Sequence, residues 1–262
     1  MKLFEISNYL DTRVPLAFQE EYDNCGLLIG DKNNDIHSVL ICLDCTEAVL
    51  DEAIESQHNL IISHHPLIFN SVTKITGANY TEKIIQKAIK HDIAVYAMHT
   101  NLDNIYGGVS FQIAKKISLK NPRILKPKKN LLTKLSVYCP KSHTEKVQDA
   151  LFASGAGRVG QFYDRCSFVS NGIGSFRALK GANPFVGSIG KKLLSEENEV
   201  EVIFYSHLRP QILSALKESH PYEEVAYICH EIDVDSPCGS GVIGDLQKEM
   251  SYNFQYVQNH KQ

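Results

Sequence analysis

Two rhythms of apolar and polar positions alternate along the first half of the chain. Short continuous apolar runs occur at SVLICLD (38–44), NLIIS (59–63) and IAVYAMH (93–99). After each comes a segment whose apolar residues recur three and four positions apart. In TEAVLDEAIES (46–56) Ala48, Val49, Ala53 and Ile54 keep that spacing, and TEKIIQKAIKHD (81–92) and VSFQIAKKI (109–117) repeat it. The pattern predicts strand then helix three times over, with Asp44 or Thr46 capping the first helix. Strands apolar throughout are covered on both faces, so the order predicts an α/β fold: a mainly parallel sheet with flanking helices.

The basic, proline-containing KPKKN (126–130) breaks this rhythm and reads as a surface linker. Beyond it lie a strand TKLSVYC (133–139), a helix HTEKVQDALFAS (143–154), and strands RCSFVS (165–170) and IGSFRAL (173–179). Asn171-Gly172 between the last two predicts a tight hairpin turn. A strand EVEVIFYS (199–206), a helix PQILSALKES (210–219) and a strand over 223–232 follow. The order β-α-β-β-α-β predicts a ferredoxin-like α+β module. Because the first sheet is short of strands, the module reads as an insertion. The predicted organisation is 1–127 for the first half of the α/β domain, 128–235 for the inserted domain, and 236–262 for a return segment.

Composition narrows the function classes. The 262 residues are 43% hydrophobic with a formal net charge of −3, which argues for a globular core and against a nucleic-acid partner. The N-terminus lacks an apolar signal core, and no long apolar run follows, so neither a signal peptide nor a membrane span is expected. Seven cysteines without framework spacing suggest free thiols and a cytoplasmic location.

In an open parallel sheet, ligand sites form beyond the carboxyl ends of the strands. The three predicted strands end at Asp44, at His64-His65, and at HTNLD with His99, Asn101 and Asp103. Imidazoles and carboxylates are the usual ligands of zinc, iron, manganese or nickel. Adjacent side chains within a strand face opposite ways, but past its end the chain turns, and Pro66 restricts His65 to extended backbone. Two adjacent histidines there suit two divalent ions a few Å apart, with Asp103 completing or bridging them. A single histidine near an apolar run is usually a hydrogen-bonded structural residue; three strand ends in register favour ligation. His99 reads as a ligand, a supporting residue or a helix cap, and Asp44 as a ligand or a cap.

Other motifs carry less. GAGRVG (155–160) and GSGVIG (239–244) fit G-x-G-x-x-G, but neither lies between a strand and the helix that a dinucleotide loop requires. Cys42 and Cys45 form a C-x-x-C best read as core cysteines. His220-Pro-Tyr-Glu-Glu224 reads as a structural or interface turn ahead of a second site.

The stretches YDNCGLLIGD (22–31), ISHHPLIF (62–69), MHTNLDN (98–104), GAGRVGQFYDRCSF (155–168), GSFRALKGANPFVG (174–187), SHPYEEVAY (219–227) and GSGVIGDL (239–246) together resemble a known family. It is the dinuclear metal centre family of GTP cyclohydrolase 1 type 2 homologues (Nif3-like). The resemblance implies a two-metal site with His64, His65 and Asp103 as ligands, an inserted domain, and ring-shaped homohexamers. It also implies a further histidine and glutamate ligand in a C-terminal segment that SYNFQYVQNHKQ (251–262) does not match. His260 is therefore not assigned, and the chain reads as C-terminally truncated relative to the family, with its sheet unfinished.

Two function classes follow. One is a metal-dependent hydrolase acting on a nucleotide or phosphoester, with GTP suggested by the resemblance and His99, Glu20 or Glu21 as assisting groups. The other is a non-enzymatic metal-binding regulator or metal-handling protein.

Overall fold

A computed structural model describes residues 1–160, 162–234 and 236–246. His260 and the rest of the 247–262 tail lie outside the described residues. Along the chain run α1 (Leu3–Arg13), β1 (Gly26–Ile29), β2 (Val39–Cys42), α2 (Glu47–Glu55), β3 (Leu60–Ser63), α3 (Tyr80–Lys90) and β4 (Ala94–Ala97). The short α4 (Thr100–Asn104), α5 (Val109–Lys116) and β5 (Lys120–Pro127) follow. Next come β6 (Leu132–Pro140), α6 (Thr144–Ala153), β7 (Phe168–Arg177), β8 (Lys192–Tyr205), α7 (Arg209–Ser219) and β9 (Tyr227–Ile232). The last described element is β10 (Gly239–Asp245). The fold is mixed α/β, and the described residues form two compact units: Met1–Pro127 with 237–246, and Lys128–Ser236.

The first unit holds a four-stranded sheet in the order β1-β4-β3-β2. Strands β2, β3 and β4 are parallel, and β1 pairs antiparallel to β4. The register sets Cys42 opposite Ser63 and Ser63 opposite Ala97, so three parallel strands end level. Both faces are covered. Ile61 and Val95 pack with Leu50, Ala53, Ile84 and Ala88 of α2 and α3. Leu60, Ala94 and Tyr96 face the other way and pack with Leu3 of α1. Gly30, leaving β1 at φ +133°, lets the backbone pass Ala94; a Cβ there would lie 2.8 Å from the Ala94 Cβ.

One expectation about a loop fails in part. KPKKN does not begin as linker, because Lys126 and Pro127 belong to β5, which pairs antiparallel with β10. GSGVIG is therefore strand, and Ser240 within it donates to Glu20 and to Asn104 at 3.0 Å each. These bonds make Glu20 a structural anchor of the first unit.

In the second unit the strand order is β7-β8-β6-β9 and all pairings are antiparallel. Leu135, Val137 and Cys139 of β6 and Val200, Val202 and Phe204 of β8 pack against Val147 and Leu151 of α6 and Ile212 and Leu216 of α7. The predicted hairpin at Asn171-Gly172 is absent. A two-residue primed turn of the Asn-Gly kind needs positive φ at both residues, and neither adopts it. Continuous pairing from Phe168↔Glu201 to Arg177↔Lys192 makes 168–177 one strand, and the chain reverses after it. Among the described residues no cysteine forms a disulfide. Among the described residues no helix is long and apolar enough to cross a membrane.

Candidate metal centre

Three level strand ends put three short segments on one edge. After β2 comes Asp44; after β3 come His64 and His65; after β4 come Met98 and His99. The amides of His64 and His65 extend the ladder by donating to Cys42 O at 3.1 Å and Leu43 O at 2.9 Å. Ser63 Oγ donates to His65 O at 2.9 Å and closes a turn. That turn brings the adjacent imidazoles to the same side, with ring centroids 5.1 Å apart. The His99 ring completes a triangle, 5.2 Å from His64 and 5.5 Å from His65. One ligand atom from each of the three lies within 4.8 Å of the others.

The outer nitrogens of these rings are all engaged. His64 Nδ1 is 2.8 Å from Met98 O, His65 Nδ1 is 2.7 Å from Asp44 Oδ1, and His99 Nδ1 is 2.9 Å from Asp23 Oδ1. A carbonyl and two carboxylates can only accept, so each Nδ1 carries the proton. In a neutral ring this leaves the lone pair on Nε2, the tautomer that a metal-ligating histidine needs. Asp103 Oδ1 sits 3.8 Å from His64 Nε2. That is too long for a hydrogen bond and is of the order of the gap between two ligands held ~2.1 Å from a common ion. The donor chemistry fits a divalent cation that accepts nitrogen and oxygen.

Asp44 does not cap α2; Thr46 does, accepting from Val49 N at 3.2 Å. His99 occupies the N-cap position of α4 but makes no side-chain cap bond. The residue that sequence reasoning missed is Asp23. Its wholly buried side chain accepts from His99, from Thr100 N at 3.0 Å, from Thr100 Oγ1 and from Cys25 Sγ at 3.1 Å. Burial alone would raise this carboxyl. The hydrogen bonds from His99, Thr100 and Cys25 outweigh it and hold the group well below the usual carboxylate range. Burial pushes the Cys25 thiol up to about 11 and the Cys45 thiol up to about 12. Both thiols are thus protonated at neutral pH. Glu21 is exposed.

A family model, Duf34/NIF3 (NGG1p interacting factor 3), matches residues 1–261. The chain belongs to the Duf34/NIF3 family. A Bacillus subtilis relative named GTP cyclohydrolase 1 type 2 homolog is 43% identical over 239 residues, covering 90% of this chain and 64% of its own length. A Staphylococcus aureus relative of the same name is 38% identical over 251 residues, covering 96% of this chain and 68% of its own. The crystal structure of a Bacillus cereus protein related to NIF3 superposes with TM-score 0.83 at 39% identity. That match covers 99% of this chain and 69% of the other. This Duf34/NIF3 chain thus spans under two thirds of the length of the Bacillus subtilis relative.

The exposed Asp44 gives a clean test of ring orientation, since its loss leaves the core of the unit intact. Asp44→Ala should weaken divalent-metal affinity about 10- to 100-fold, the usual cost of losing a histidine's outer partner. Competition with a chromophoric chelator measures it, with circular dichroism unchanged.

Proposed function

We propose that this chain is a divalent-metal-binding protein whose centre is built by His64, His65 and Asp103, with His99 as a further ligand. The observation that carries the reading is the set of three imidazoles, each donating its Nδ1–H to an acceptor behind it and turned toward the others. Zinc, iron, manganese and nickel all suit such donors. The three imidazoles form one group of mutually close ligand atoms, and Asp103 stands beside it against His64. A dinuclear site therefore draws further donors from water, substrate or another segment of chain.

The activity that fits best is metal-dependent hydrolysis of a nucleotide or phosphoester. The names of the relatives point to GTP cyclohydrolase-type chemistry. A bound divalent ion supplies Lewis-acid polarisation of a substrate oxygen and acidifies water. The chain's own part is to hold the rings: Asp23 and Asp44 fix His99 and His65, and Met98 O fixes His64. We take the Lys128–Ser236 unit to be a ferredoxin-like insertion, a reading that its antiparallel order β7-β8-β6-β9 supports. The sheet edge at β2, with Ile41 79% exposed, supports a homo-oligomer, hexameric by the family resemblance. A cytoplasmic location is consistent with cysteines that form no disulfide.

The experiment is a turnover assay with manganese, zinc or nickel added to metal-free chain, using GTP and p-nitrophenyl phosphate. Metal-dependent conversion that disappears in Asp103→Ala supports the hydrolase. Metal binding without conversion of either compound would favour the non-enzymatic regulator.

A further inference from the structure

The second unit contains a cavity of about 670 Å³ that has no part in the metal centre. Its place follows from strand periodicity. Val200, Val202 and Phe204 of β8 face the helices, so Glu197 and Glu199 point out of the opposite face. Tyr138 is paired with Glu199 and lies on that face too. Gly172, paired with Glu197, and Gly174 leave the sheet surface bare there. A Cβ at Gly174 would collide with the Glu197 carboxylate. The segment that imitates a hairpin turn in the sequence is thus the floor of a hollow.

The walls are aromatic and the rim is acidic. The Tyr222 ring lies 6.4 Å from Phe176 and 6.1 Å from Phe185, the latter carried on the 178–191 connection. Asn183 N donates to both Glu223 carboxylate oxygens, at 2.9 and 3.1 Å, and ties that connection to the 222–224 turn. Tyr222 Oη donates to Glu197 at 2.6 Å. His220, next to the turn, engages both ring nitrogens, with Tyr138 O at 3.0 Å and Tyr222 N at 3.1 Å, so it serves the architecture. The lining residues include Glu197, Glu199, Glu223 and Glu224 against one cation, Arg177. Among the described residues none of these four glutamates pairs with a lysine or arginine.

We propose that this cavity binds a small organic cation with a flat apolar body, its charge held by the carboxylates and its body between Phe176, Phe185 and Tyr222. The volume falls within the range of about 300–1,000 Å³ typical of small-molecule sites. Aromatic faces attract cations most strongly where water is displaced. Four carboxylates against one arginine complement a cation and repel an anion of the same shape.

The test is calorimetric titration of the whole chain with benzylamine, benzyl alcohol and benzoate, which share one ring and differ in charge. Benzylamine should bind at least about tenfold tighter than benzyl alcohol, and benzoate should not bind. Glu197→Gln with Glu199→Gln should remove that preference while leaving benzyl alcohol unchanged. If that pair fails to fold, the exposed pair Glu223→Gln and Glu224→Gln should reduce it in the same direction. Phe185→Ala should weaken both benzylamine and benzyl alcohol. Equal binding of all three probes, no saturable binding of benzylamine, or unchanged benzylamine affinity in a folded glutamine pair would overturn the proposal. A second copy of this chain seated on the sheet face would give the no-binding result.

Discussion

A chain carrying His64→Ala and His65→Ala retains less than about a tenth of the divalent metal that the parent holds after gentle purification, because two of three imidazoles are gone. Both residues follow β3, and their side chains are partly exposed, 20% for His64 and 46% for His65. Removing them empties no core position, so the loss of metal comes without loss of fold. The imidazole count gives the scale: His99 and Asp103 alone make a two-donor site, which binds first-row ions weakly. Elemental analysis of parent and variant, with urea denaturation as the control for folding, reads the effect. Equal metal in both would remove these two residues from the centre.

The second large effect belongs to a residue that acts on the centre through His99. Asp23→Ala should cost about 2–4 kcal/mol of stability, since it strands buried donors on Thr100 and Cys25 and unpairs His99. It should also lower metal affinity by tenfold or more, as His99 loses both its tautomer and its direction. Asp23→Asn keeps an acceptor oxygen and should cost less on both counts. Urea denaturation gives the first quantity and chelator competition the second. A variant with weakened folding and unaltered metal affinity would show that Asp23 serves the fold alone.

The contrast between these residues shows what the sequence makes legible. His64 and His65 stand out because a continuous apolar run ends beside them and Pro66 fixes the exit. The β2, β3 and β4 runs can be aligned from their helix spacing, which brings His99 and Asp103 to the same edge. Asp23 lies 76 positions from His99, in a loop without periodicity, and nothing local marks it as an acceptor. The β5 and β10 strands are likewise far apart in sequence, and each looks like loop until the other is beside it. Helix α1 and strand β1 are equally faint to periodicity, although β1 falls inside a stretch that carries the family resemblance. Asn171-Gly172 fails for a different reason. Its turn preference is local and small, while pairing along all of β7 with β8 is extensive and decides the conformation.

The Asp44 and Thr46 pair makes the same point on a smaller scale. Either could cap α2 by spacing. The structure assigns the cap to Thr46 and leaves Asp44 for His65. Sequence spacing names the candidates, and strand register chooses between them.

The measurement that bears most directly on the central claim is titration of metal-free chain with cobalt(II), followed by its visible absorption. The account predicts saturable binding with bands of nitrogen- and oxygen-coordinated cobalt, abolished in the His65→Ala, His99→Ala double variant. No saturable absorption in the parent, or the same spectrum in parent and variant, would contradict it.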